Sequence, residues 1–172
     1  SLVCVATDSF RLAEKKLKNK KVRDFGSLLI PVKNIAEIIK VFDEMSTEIE
    51  VSVDKNQTSF SAEGVYMVSR IIEGTFPDYR QILPKESKTE VILLKQDLMN
   101  ALKLSNVFTD KFNQLAIHIE PKQKLLTLTT KNGDVGENKH NIEASVSGEP
   151  LDITFNYKYI ADSFQSIDSD SI

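Results

Sequence analysis

Asp8, flanked by Thr7 and Ser9, and the two histidines His118 and His140 are the groups of this sequence best suited to acid–base chemistry, and Cys4 is its one thiol. A hydrolytic reading would make Asp8 or His118 a general base. Their settings suggest plainer roles. Asp8 lies between two apolar runs, where Asp, Ser and Thr are favoured because their short side chains bond the turning backbone. His118 falls in an alternating stretch and His140 in a polar one, and neither has the Ser/Asp or Cys/His companions of a relay. The six glycines are scattered, so no run of them cradles a phosphate. Cys4 has no second cysteine to pair with and no nearby histidine to share a zinc ion. The expectation is a chain with no catalytic residue, no metal and no cofactor.

Charge points to a binding role of a limited kind. With 22 Lys and Arg against 25 Asp and Glu, the net charge of -3 does not suit a chain that coats nucleic acid through bulk positive charge, although a local basic face is compatible with it. The run Lys15, Lys16, Lys18, Lys20, Lys21 and Arg23 sits on a strand end and loop and reads as a solubilising edge. At 172 residues, 41% apolar and 27% charged, the chain suits one globular domain or two small ones. No stretch approaches the roughly 20 apolar residues of a membrane helix, and the first residues lack a leader's pattern, so a cytosolic protein is expected. The chain opens inside a strand without an initiator Met and stops where another strand is due, so a fragment of a longer protein is also expected.

The elements that position these groups are written as a repeat. Ser27–Ile30 reads as a short strand leading into a helix with Ile35, Ile38, Ile39 and Phe42 on one face. Val91–Leu94 leads into a second helix with Leu98, Ala101, Leu102 and Ser105, and Ile153–Asn156 into a third with Ile160, Phe164 and Ile167. The anchors Ile35, Leu98 and Ile160 lie 63 and 62 positions apart. Alternating strand pairs follow the first two helices, at 49–53 and 58–62 and at 115–119 and 125–129, and a third strand closes each unit at 66–72 and about 141–146. A helix over about four strands cannot cover both faces of its sheet, so such units should pair, with helices on one face of antiparallel sheets. This is an α+β organisation. Between the paired units, 73–87 reads as a connector whose Phe76, Tyr79, Ile82 and Leu83 are apolar enough to pack on a domain surface.

Two segments inside this repeat, Ala6-Thr7-Asp8-Ser9-Phe10-Arg11-Leu12-Ala13 and Gly74-Thr75-Phe76-Pro77-Asp78-Tyr79-Arg80-Gln81-Ile82-Leu83-Pro84, resemble the motifs of the bacterial sliding clamp family, the beta subunit of DNA polymerase III, in their order and spacing. The resemblance covers essentially the whole chain. It implies the sliding-clamp fold, with residues 1–72 as the later half of the middle domain, 73–87 as the connector and 88–172 as the earlier part of the third domain. It further implies a non-catalytic processivity factor of the bacterial cytoplasm, associated with the nucleoid during replication. Such a protein is a homodimeric ring that encircles double-stranded DNA without reading its sequence. Replicative polymerase, clamp loader and repair proteins would dock on it through short linear motifs. A peptide-binding adaptor that does not encircle DNA is the alternative.

The resemblance also implies sites. Thr7, Ser9, Phe10, Arg11 and Leu12 would form one wall of the partner-peptide pocket and Pro77, Gln81 and Ile82 the other, with apolar walls for leucine or phenylalanine anchors. Phe10 stands where relatives often carry His, and Gln81 where a basic residue is frequent, so polar contacts to the peptide should differ. The competing reading is that Leu12 and Ile82 only seal the connector onto its domain. Lys33, Lys40, Lys95, Lys103 and Lys158 on the helices would face DNA loosely enough to slide, or be ordinary solvated lysines. Leu104 would belong to the subunit interface, or to core packing in the last helical turn.

Overall fold

Thr7-Asp8-Ser9 turns the chain back on itself. Strands β1 (Leu2–Thr7) and β2 (Leu12–Leu17) pair antiparallel on either side of it, with Ala6 opposite Ala13 and Thr7 opposite Leu12. The structure, a computed structural model, describes residues 1–18, 25–45 and 48–172. These separate into two units, Ser1–Leu83 and Pro84–Ile172, a division inside the segment read as the connector. Lys20, Lys21 and Arg23 of the basic run lie outside the described residues.

In the first unit, α1 (Val32–Phe42) starts behind Pro31, whose ring fixes a suitable φ and whose missing N–H costs a helix start nothing. Ile38 and Phe42 are buried and Ile35 is half-buried, but Ile39 is exposed, so the apolar face is narrower than the spacing suggests. Strands β3 (Glu50–Val53), β4 (Gln57–Ala62) and β5 (Val65–Arg70) form a three-stranded antiparallel meander. Glu63 and Gly64, both at positive φ, make the two-residue turn that matches strand twist. The helix is tied to this sheet by the Asn34 side-chain amide, which donates to the buried Ser69 hydroxyl at 2.8 Å. Ser27–Ile30 does not form the expected strand; the Leu29 carbonyl accepts the N–H of Ile72, two residues past the end of β5, at 2.8 Å.

The second unit runs β6 (Thr89–Ile92), α2 (Lys95–Asn106), β7 (Gln114–Glu120), β8 (Leu125–Asn132), β9 (Gly136–Glu143), β10 (Ser145–Gly148), β11 (Leu151–Asn156) and α3 (Tyr157–Ser163). Its main sheet has the order β11-β7-β8-β9, and β10 pairs with β6 in a second sheet. Register brings Ile117 opposite Leu128 and Ile119 opposite Leu126, so alternate residues of each strand share the inner face. Leu98, Ala101 and Leu102 of α2 are buried in one core with Leu115, Ile117, Leu128 and Ile142, and Phe164, just past α3, joins it. Both helices thus serve one face of the sheet. At the end of α2, Ser105 is buried and its carbonyl accepts the Thr130 hydroxyl at 3.1 Å. The Asn156 side chain caps α3 by accepting the Lys158 N–H at 3.0 Å.

The closing strand expected at about 141–146 is two strands. Alternation runs on through Ala144, but at that residue the chain leaves β8 as its partner and takes β6. The Ala144 N–H bonds back to the Lys124 carbonyl at 3.0 Å, which satisfies it at the crossing point. Gly148 ends β10 at φ +102, where an added Cβ would lie 2.0 Å from the Lys88 carbonyl oxygen. Gly148→Ala should therefore destabilise the protein by about 2 kcal/mol or more, seen as a lower midpoint in thermal or urea unfolding. Gly133→Ala, into open space, should change it by less than about 1 kcal/mol.

Candidate partner-binding site

The turn between β1 and β2 is built by its own side chains. Asp8 Oδ1 accepts the N–H groups of Phe10 at 3.0 Å and Arg11 at 2.9 Å, and Oδ2 accepts Arg11 Nε at 3.0 Å. The Thr7 hydroxyl donates to the Arg11 carbonyl at 2.8 Å and accepts the Ser9 N–H at 3.2 Å. Ser9 adopts φ 75, the left-handed conformation that the tight reversal demands. The backbone N–H bonds from Arg11 and Phe10, with a smaller contribution from the Arg11 side chain, hold the Asp8 carboxyl below its ordinary range. Asp8 is thus an anion committed to three donors, and its effect is to aim Arg11. Beside it, Phe10 is 80% exposed and Leu12 half-buried.

The connector supplies the second group of residues, in the same unit. Tyr79–Gln81 form a single 3-10 turn, and Phe76 meets the Tyr79 ring edge-on, with centroids 6.2 Å apart. The Arg80 guanidinium lies 5.8 Å from the centre of the Tyr79 ring, and the Gln81 amide donates to Asp78 at 2.9 Å. The Tyr79 hydroxyl donates to the Glu14 carboxylate on β2, which also pairs with Lys16 at 2.8 Å. The Lys16 ammonium, and after it the Tyr79 hydroxyl, hold the Glu14 carboxyl low, while Glu14 raises the Lys16 ammonium. Connector and hairpin are fastened together by this bond.

Apolar side chains nevertheless stay open around it. Phe76 and Tyr79 are half-buried, but Ile82 is 74% exposed and Leu83 is also exposed, against the expectation that both pack on a domain surface. An Ile82 so open does not seal the connector onto its domain. Pro77 and Gln81 are exposed as well.

The helix lysines divide by what they touch. Lys33, Lys103 and Lys158 are exposed. Lys33 and Lys158 are each the second residue of a helix, and Gln96 takes that place in α2. Lys40 pairs with Glu37 on the surface at 2.8 Å. Lys95 differs: its half-buried side chain donates to the Ile167 carbonyl, which gives it a structural duty in place of an open position for phosphate. Leu104 is 54% exposed and so is not packed in the core, and Val107 and Phe112 beyond it are exposed too.

Besides the Tyr79–Glu14 bond, sequence reasoning missed a second pair. His118 Nδ1 lies 2.7 Å from Asp152 Oδ1, the two side chains facing each other across β7 and β11. Both are well exposed to water, which screens the pair and leaves it a surface contact. Among the described residues no group of three or more His, Cys, Asp or Glu could hold a metal ion, and no helix is long and apolar enough to cross a membrane.

Family models for the DNA polymerase III beta subunit match nearly the whole chain, the central domain over residues 1–78 and the C-terminal domain over 80–172. The chain belongs to that family and has the sliding-clamp fold. The beta sliding clamp of Staphylococcus aureus strain Mu50 is 28% identical over an alignment that covers 99% of this chain and 46% of that protein. Among solved structures, the DNA polymerase III subunit beta sliding clamp of Bartonella birtlesii matches with a TM-score of 0.90 at 28% identity, over 97% of this chain and 48% of that one. The DNA polymerase III beta subunit of Thermotoga maritima matches with a TM-score of 0.83 at 32% identity, over 97% of this chain and 45% of that one. The chain therefore spans about half the length of these relatives.

Because the folded-state pKa of Asp8 is depressed, its stabilisation of the turn is complete above the ordinary carboxylate range and is lost as pH falls through the lowered value. In an NMR titration the Phe10 and Arg11 amide resonances should move together on acidification. Asp8→Ala should abolish that movement and speed exchange of both amides at neutral pH by about tenfold.

Proposed function

We propose that this chain works within a non-catalytic replication processivity clamp, a ring that encircles duplex DNA and tethers its partners by short peptides. One observation carries the partner-binding part of the reading: Phe10 and Ile82 are left open to solvent in a unit whose Arg11 is aimed by Asp8 and whose connector is bonded to the hairpin. Exposed apolar side chains in the same unit as an ordered cation suit a peptide that brings leucine or phenylalanine anchors and an acidic or carbonyl oxygen. Thr7, Ser9, Leu12, Pro77 and Gln81 complete the two walls in this proposal. Leucine and phenylalanine motifs of the replicative polymerase, the clamp loader and repair proteins are the proposed ligands.

For DNA, the open lysines Lys33, Lys103 and Lys158 are the proposed lining residues, with Lys40 a weaker candidate because Glu37 already neutralises it. A sparse set suits sliding, since each tight phosphate contact must be broken at every step. The exposed Leu104 is the proposed contribution to the homodimer contact. The adaptor alternative finds no support among relatives that are themselves sliding clamps. Work in replication places the protein in the bacterial cytoplasm, at the nucleoid, in this reading.

Two measurements test it. Leu12→Asp should weaken binding of a Leu/Phe-containing peptide by about tenfold or more in fluorescence anisotropy; equal binding by the parent and the variant would remove the pocket assignment. In a full-length protein containing these residues, Lys33→Glu with Lys158→Glu should shorten retention on nicked circular DNA by roughly threefold or more while leaving peptide affinity intact. Unchanged retention would return both lysines to the solvent.

A further inference from the structure

Glu14 lies outside both motifs, yet it is the point at which the connector meets the hairpin. Its carboxylate accepts the Tyr79 hydroxyl from the connector and pairs with Lys16 on its own strand, and its side chain is only 21% exposed. Register sets it two residues after Leu12 on the same strand, so both side chains lie on one face of the hairpin. Tyr79 in turn holds the short turn that carries Gln81 and Ile82: the Ile82 N–H bonds to the Tyr79 carbonyl at 3.1 Å, and Phe76 and Arg80 flank the ring. Without the Tyr79 hydroxyl bond, the wall bearing Pro77, Gln81 and Ile82 would lose its described polar tie to the strand bearing Leu12.

We propose that Glu14 and Tyr79 form a latch that holds the two walls of the peptide pocket at binding distance, making both of them positioning residues for partner docking. The role rests on the pocket reading given above. Lys16 supports it, because its ammonium on Glu14 Oε1 keeps the acceptor ionised while Oε2 takes the Tyr79 hydroxyl. A preorganised pocket binds more tightly because the peptide need not order the wall itself.

The test uses Tyr79→Phe, Glu14→Gln and the double variant, reading amide hydrogen exchange over residues 76–82 and affinity for a Leu/Phe-containing peptide. Each single change should speed exchange at Gln81 and Ile82 and weaken the peptide by roughly three- to tenfold, and the double variant should be no worse than either single one. Glu14→Asp, which keeps the charge but shortens the reach, should recover part of the loss. Unchanged exchange in Tyr79→Phe, or faster exchange with undiminished affinity, would overturn the latch while leaving the pocket in place. A parent chain that fails to bind the peptide would overturn the pocket, and the latch's role with it.

Discussion

An amphipathic helix has one apolar face, and a sheet of three or four strands beneath it has one inner face to offer in return. That one-sided exchange governs the second unit. Leu98, Ala101 and Leu102 disappear against Leu115, Ile117 and Leu128, while the outer face of the same sheet carries His118, Asp152 and Lys139 into water. At roughly 25 cal/mol for each Å² of apolar surface removed from water, this layer is the main source of the unit's stability. Polar ties add to it, among them Thr130 on the Ser105 carbonyl, Lys95 on the Ile167 carbonyl and Asn156 on the first turn of α3. They fix where the helices sit.

The first unit depends less on volume and more on local chemistry. Its described buried residues are few, Ile38, Phe42, Thr58 and Ser69, and its distinctive geometry comes from short-range bonds. Asp8 closes a turn around itself, the Glu63 and Gly64 backbones reverse the meander, and Tyr79 reaches back to β2. A surface built this way can leave Phe10 and Ile82 uncovered without losing definition, because backbone bonds hold the positions that a core would otherwise hold. In the proposed docking role this has an advantage: the side chains offered to a partner are not the ones that hold the fold.

The repeat made much of this legible. The period of 63 and 62 located three helices, and the anchors Leu98, Ala101, Leu102 and Ser105 are the residues that α2 buries. The expected strand at Ser27–Ile30 failed because an apolar run becomes a strand only when a neighbour offers a ladder, and there the described link is a single bond at Leu29. The strand near 141–146 was fused in the reading because alternation carries no mark where a strand changes partners. Asp8 was legible as a turn former since its bonds reach no further than Arg11. The Glu14 to Tyr79 bond and the facing of His118 and Asp152 span 65 and 34 positions and follow from tertiary packing and strand register. Lys95 looked like any helix lysine until the chain past α3 brought the Ile167 carbonyl beside it.

The crossing at Ala144 has a mechanical side. Most chains pass from one sheet to another through a loop, which bends and absorbs load. Here a single bonded residue joins β9 to β10, so the two sheets of the second unit share a stiff corner. Torque applied at β6 is handed on to the four-stranded sheet, not dissipated between them, and the unit should turn as one piece when pulled.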